Sequence, residues 1–200
     1  MRLGRGVSAR GCIPRRAEVT KRRRAGLAVE ADIIACTVGH VEAICIAPAA
    51  EAPMRALSEV EAVAGVGLTG DRYALGIGFY SPRPTDPGAR ELTLVEGEVL
   101  DWLAAQHGIA LPPTEHRRNL TTRGVQLEPL IGKRFSIGDV VLEGVRDCPP
   151  CDHLDQVTGK RVMRPLLGRA GIRARIVRGG TMRIGDAIAA EDLAPTQSVA

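Results

Sequence analysis

Cys148-Pro149-Pro150-Cys151 sets two thiols three residues apart, and Arg117-Arg118-Asn119 precedes them by about thirty residues. A thiol acts as a nucleophile or metal ligand through its thiolate, and nearby cations lower a free-cysteine pKa of ~8.5. Arginine and asparagine supply the forked donors that hold phosphate. One sulfur for something soft and a basic shelf for an anionic tail is the chemistry this pairing implies.

The spacing rejects some uses of Cys-x-x-Cys. A c-type haem site needs His directly after the second Cys, whereas Asp152 intervenes before His153. Structural zinc needs four ligands, and Cys148, Cys151 and His153 supply three. A thioredoxin-like dithiol opens a helix in a βαβ setting, while the residues around this one read as β. An inert buried pair stays open beside redox exchange, since free Cys is often simply core. Arg117 and Arg118 have a bland alternative too, as solvated residues beside a proline-rich loop, and His116 either sits at the surface or tunes the site's charge near neutral pH. Gly67 to Arg72 lacks the Gly-Lys-Ser/Thr ending of a P-loop.

The elements that must position these residues are mostly strands. Alternation marks 40–46 and 60–64, short strands follow at 92–95 and 120–125, and Phe135 to Leu142 reads as strand, tight turn, strand around Ile137-Gly138-Asp139. Ile184-Gly185-Asp186 repeats that pattern, which predicts two similar turns in one sheet system. Ile172, Ala174 and Ile176 alternate with Arg173 and Arg175, predicting a strand whose arginines face solvent; Arg178 is close enough to a glycine pair to reach a site. Val95, Val99, Trp102 and Leu103 form one stripe of a helix over 95–107, capped by Gly108, and a second short helix is expected near 161–167. Residues 76–90, with three Gly and three Pro, form a loop of a length that is usually functional or mobile. The expected architecture is mainly β, a closed or nearly closed barrel with a few short helices.

Charge divides the chain. Nine of the 27 Lys and Arg and one of the 23 acids fall in residues 1–24, leaving 18 basic against 22 acidic residues beyond. The basic character therefore belongs to an extension, 1–36, and not to the fold, which argues against a nucleic-acid-binding domain. The expected domain spans 37–190, with a tail at 191–200. No run of eighteen apolar residues suits a membrane span. Five cysteines, an odd number, without a signal-peptide core point to a reducing cytoplasm.

In order, the landmarks Gly67-Leu68-Thr69-Gly70-Asp71-Arg72-Tyr73, Arg117-Arg118-Asn119-Leu120, Leu130 to Gly138, Pro150-Cys151, Gly171 to Arg175 and Gly179 to Asp186 resemble the MOSC domain, the module named from the C-terminal part of molybdenum cofactor sulfurases. The resemblance runs from about Val41 to Ile188 and departs at Tyr73, where many members have His. It implies a β-barrel and binding of molybdenum cofactor, a pterin dithiolene carrying a phosphate; the family is also associated with pyridoxal phosphate. It places the defining cysteine, catalytic and molybdenum-ligating, at Cys151. Candidates for cofactor binding are Arg117, Arg118 and Asn119 at phosphate or pterin, Asp71 and Arg72 at the pocket edge, and Cys148 as a relay or packing residue. The implied activity is reduction of N-hydroxylated compounds with electrons from a separate protein. The alternatives are a carrier or sulfur-transfer module served by a sulfur donor, and a thiol–disulfide protein working through Cys148 and Cys151.

Overall fold

The computed structural model of the protein describes residues 39–190. The expected extension and tail, with Cys12 and Cys36, lie outside the described residues. Eleven strands and two α-helices make up the rest: β1 (Gly39–Ile46), β2 (Arg55–Leu57), β3 (Glu59–Val63), β4 (Gly67–Leu68), β5 (Leu92–Glu96), α1 (Gly97–His107), β6 (Leu120–Arg123), β7 (Arg134–Ile137), β8 (Val140–Asp147), α2 (Asp152–Thr158), β9 (Ile172–Arg178), β10 (Gly180–Arg183) and β11 (Ala187–Ala190). Neither helix is long and apolar enough to cross a membrane.

Seven strands close into a barrel in the order β1-β11-β7-β8-β9-β5-β6 and back to β1, with β2 added along β1. Closure is made by the first and last strands, where Gly39 pairs with Ile188 and His40 with Ala187. It leaves the barrel without a free edge, as the mainly β expectation required. Every neighbour is antiparallel except β5 and β6. Parallel strands need a crossover, and α1 supplies it. The inward residues of the alternating strands, among them Leu92, Leu94, Phe135, Ile137, Leu142, Ile172, Ala174, Ile176 and Ile188, fill the interior. A smaller sheet, β10-β3-β4, packs Val60, Ala62, Leu68 and Met182 onto the same core.

A second apolar cluster lies outside the barrel. Leu103 of α1, Leu154 of α2 and Leu111, Val162, Leu166 and Ala170 form it, with Trp102 and Cys151 against its margin. The space between this cluster and the barrel wall is where the chemistry-bearing residues gather.

Two sequence expectations change in detail. The helix expected near 161–167 is a run of turns, because Pro165 removes a backbone donor and the Asp155 carboxylate accepts the Val162 and Met163 amides at 2.9 and 2.8 Å. The helix forms instead over Asp152–Thr158, ended by Gly159 in the left-handed conformation. The two Ile-Gly-Asp turns do not share one sheet: the first joins β7 to β8 within the barrel, while the second carries the chain from the small sheet to β11. The 95–107 helix, by contrast, appears as α1 with Gly108 at φ 65° closing it.

Phe135 is fully buried, opposite Leu142 on one side and Ala190 on the other. Phe135→Ala is expected to cost about 3–5 kcal/mol, through lost transfer energy and the cavity left behind, read as a lower urea midpoint.

Candidate functional site

Asp71 follows β4 and is almost fully buried, at 3% exposure. Its Oδ2 accepts from the Ala47 amide at 3.1 Å, Arg72 Nη1 at 3.1 Å and Asn119 Nδ2 at 3.2 Å, while Oδ1 accepts from the Tyr73 amide at 3.0 Å. A buried charge persists only when paired and hydrogen-bonded, and here four donors meet one carboxylate. Arg72 also donates through Nη2 to the Arg117 carbonyl at 3.3 Å. Asn119, just before β6, accepts through Oδ1 from Thr93 Oγ1 at 2.8 Å and donates through Nδ2 to the Cys45 carbonyl at 3.3 Å. Asp71 and Asn119 thus spend their polar atoms inside the protein, behind the wall that Arg72 and Thr93 present.

Arg117 is the one non-glycine among the described residues with a left-handed backbone, at φ 63°. Such a conformation costs of order 1–3 kcal/mol and persists where surrounding contacts impose it. Its guanidinium donates to the Ala52 and Ala50 carbonyls at 2.7 and 2.5 Å, clamping the 47–54 segment to the site. Burial, and then the neighbouring Arg72 charge, pull its pKa down to about 10, so it remains a cation at neutral pH. Arg118 is buried as well, and donates through Nε to the Ala170 carbonyl at 3.0 Å and through Nη2 to the Cys148 carbonyl at 2.9 Å. It thereby holds the Cys-x-x-Cys segment against the barrel. The solvated alternative for Arg117 and Arg118 does not hold.

His116 is buried too. Its Nδ1 accepts the Arg118 amide at 3.0 Å, which leaves Nε2–H to donate to Thr121 Oγ1 at 2.9 Å. Burial first, and the Arg118 charge second, push its pKa down to about 3. It is a neutral spacer and does not tune charge near neutral pH.

These residues back onto a cavity of about 290 Å³ on the outer face of the barrel. That is near the lower end of the ~300–1,000 Å³ typical of ligand sites. Its wall includes Cys148 and Cys151, with Arg72, Arg117 and Arg118 from the predicted set, and Tyr73 beside them. Of the described cysteines, Cys45 and Cys148 are buried and Cys151 is partly exposed. Cys151 is the N-cap residue of α2, in extended conformation. The loop between β4 and β5 covers the cavity with Phe79, Tyr80, Arg83, Pro84, Thr85 and Arg90, giving the long loop read from the sequence a place in the site. Phe79 stacks on His153 at 3.9 Å between ring centres. Burial and then Cys151 drive the Tyr80 hydroxyl pKa up to about 12, so it stays protonated beside the sulfur. Burial, followed by Arg117, lowers that of His153, which is therefore a neutral imidazole at pH 7.

Among the described residues, seven arginines line the cavity (Arg72, Arg83, Arg90, Arg117, Arg118, Arg146 and Arg173) and no carboxylate does. The sequence reading missed four of them. Arg173, expected to face solvent, lies on the outer face of β9 as alternation requires, but that face is covered by the loop. Arg178 is exposed and donates to the Asp139 carbonyl at 3.1 and 3.0 Å, away from the cavity. Cys148, Cys151 and His153 do not gather into a metal-ligand cluster; none of three or more His, Cys, Asp or Glu exists among the described residues. Nor does a lysine among the described residues line the cavity, as a pyridoxal phosphate Schiff base would need.

A model of the MOSC domain matches residues 77–189, and the chain belongs to that family. The fold is similar to that of the YuaD protein from Bacillus subtilis, at TM-score 0.64 and 20% identity over 75% of this chain and 93% of that one. YiiM from Geobacillus stearothermophilus is similar at TM-score 0.57 and 11% identity, covering 76% and 74%. YiiM from Escherichia coli follows at TM-score 0.53 and 15% identity, covering 76% and 69%. No curated protein sequence matches the chain.

Two outcomes test this network. Asp71→Asn leaves buried Arg72 without its counter-charge and is expected to cost about 3–5 kcal/mol in chemical denaturation. For His116, the unfolded imidazole takes up a proton near pH 6.5 and the folded one not until about 3. Its contribution is therefore complete above pH 6.5 and lost as pH falls toward 3. The urea midpoint should drop between about pH 7 and about pH 5, and His116→Gln should flatten that drop.

Proposed function

We propose that the chain binds molybdenum cofactor in the arginine-lined cavity, with Cys151 as the metal ligand, and reduces N-hydroxylated compounds using electrons from a separate donor protein. The observation that carries this reading is the placement of the one partly exposed described thiol in a cavity whose wall, among the described residues, holds seven guanidinium groups and no acid. A soft thiolate suits a molybdenum–sulfur centre, and the cations suit a phosphate-bearing pterin. The donor set fits the group.

When bound, the cofactor supplies the two-electron oxygen-removing chemistry. The protein's part is to hold and enclose it. Cys151 fixes the metal end. Arg117 and Arg118 contribute positive charge along the wall, and Arg72, its charge offset by Asp71, adds N–H donors; carbonyl and carboxylate partners already lock all three side chains, so little ordering entropy remains to be lost on binding. Asp71 and Asn119 keep Arg72 and Thr93 in place. Phe79 and Tyr80 form part of the wall around the sulfur, and the neutral His153 imidazole is a proton acceptor on the wall. Cys148, buried with its amide donating to the Gly171 carbonyl at 2.8 Å, packs the segment before Cys151. A carrier or sulfur-transfer module would bind the same cofactor without turnover. A dithiol protein would need Cys148 and Cys151 equally.

Metal and pterin analysis of protein from a cofactor-producing host tests the reading. Wild type should carry molybdenum and pterin near stoichiometry, and Cys151→Ser should stay folded and lose the metal. Wild type without either, beside a loaded control molybdoenzyme, would overturn it.

A further inference from the structure

Arg146 and Arg173 stand directly opposite each other in the β8–β9 ladder. Like charges in that relation repel, and a sheet keeps such a pair only where something offsets the repulsion. Thr93 on β5 is in turn opposite Arg173, so one cross-strand row, Arg146–Arg173–Thr93, forms part of the cavity wall. A register shift between Gly144 and Arg146 breaks the alternation of β8. Bulges of this kind re-aim a side chain and concentrate beside functional sites.

Both guanidiniums are under-satisfied. Their Nε atoms are the two buried side-chain polar atoms among the described residues that lack a hydrogen-bond partner. Each arginine has one other tie, and both ties run to the covering loop. Arg173 Nη1 donates to the Ala89 carbonyl at 3.0 Å. Arg146 Nε lies 2.9 Å from Asp86 Oδ2, but off the N–H direction, so this is an ion pair without a hydrogen bond. Asp86 is itself 62% exposed in its side chain, a weak, screened counter-charge. The wall that Cys151, Arg117 and Arg118 occupy is carried by other elements, so this row is a separate group of donors in the same cavity.

We propose that Arg146 and Arg173 form a second oxyanion site, which takes the carboxylate or phosphate group of the substrate. Two paired guanidiniums present forks matched to such a group and would be relieved of their mutual repulsion by it. The substrates are then anionic, held by the row while the reacting end faces Cys151. Naming the anion as a substrate group rests on the cofactor reading above; the existence of the oxyanion site does not.

The test is calorimetric titration of the full chain with inorganic phosphate at fixed ionic strength, in molybdenum-loaded and unloaded protein. Wild type is expected to bind phosphate in both states. Arg146→Gln and Arg173→Gln should each weaken binding by about tenfold or more while keeping their molybdenum, and Arg178→Gln, outside the cavity, should bind as wild type does. Asp86→Asn removes the competing carboxylate and should tighten binding, which a purely loop-tethering role for Arg146 would not produce. Phosphate binding that is absent, or unchanged in both glutamine variants, overturns the site. Binding by unloaded wild type that vanishes on loading shows the pair to hold the cofactor's own phosphate and overturns the substrate assignment. Should wild type carry no molybdenum, the cofactor reading fails alone, and the unloaded titration still decides the oxyanion site.

Discussion

The site depends on one buried carboxylate. Asp71 draws the segment after β1, the start of the covering loop, Arg72 and Asn119 onto two oxygen atoms, and from Asn119 the linkage continues to Thr93 on β5. The parts it joins are distant in sequence, and no apolar contact could fix their relative orientation with comparable directionality. Low dielectric strengthens each bond in such a network and makes each unmade one expensive, so the network is effectively all or none. Its effect is to offset one guanidinium charge within the wall.

The barrel explains why the cavity lies where it does. Seven strands enclose a space that their own inward side chains fill, so a ligand has to be held against the outside. The outer face is normally solvated. Here the helical cluster and the β4–β5 loop cover part of it, turning outward positions such as Arg146 and Arg173 into wall residues. The binding surface is thus rigid below, where strands supply it, and adaptable above, where a loop does.

Much of this was legible in the chain, and the exceptions share a cause. Alternation located nearly every barrel strand, and the order of short motifs identified the family, because both signals are local. Arg117, Arg118 and Cys151, singled out by residue type and spacing, line the cavity. Arg146 and Arg173 were not singled out, since alternation reports which face a residue occupies and nothing about what covers that face. Asp71 was read as a pocket-edge residue; its burial follows from long-range partners that no local pattern encodes. The misplaced second helix has a more ordinary origin: α2 is seven residues long, with one buried side chain, Leu154, too short to show a period.

Closure of the barrel by β1 against β11 also sets a timetable. During synthesis, Gly39 emerges long before Ile188, and β8 and β9, which carry the arginine row, come late in the chain. Until β11 is made, the Gly39–His40 end of β1 lacks its partner. That end of the first strand is an open edge, able to pair with a neighbouring chain, until the last strand closes the barrel.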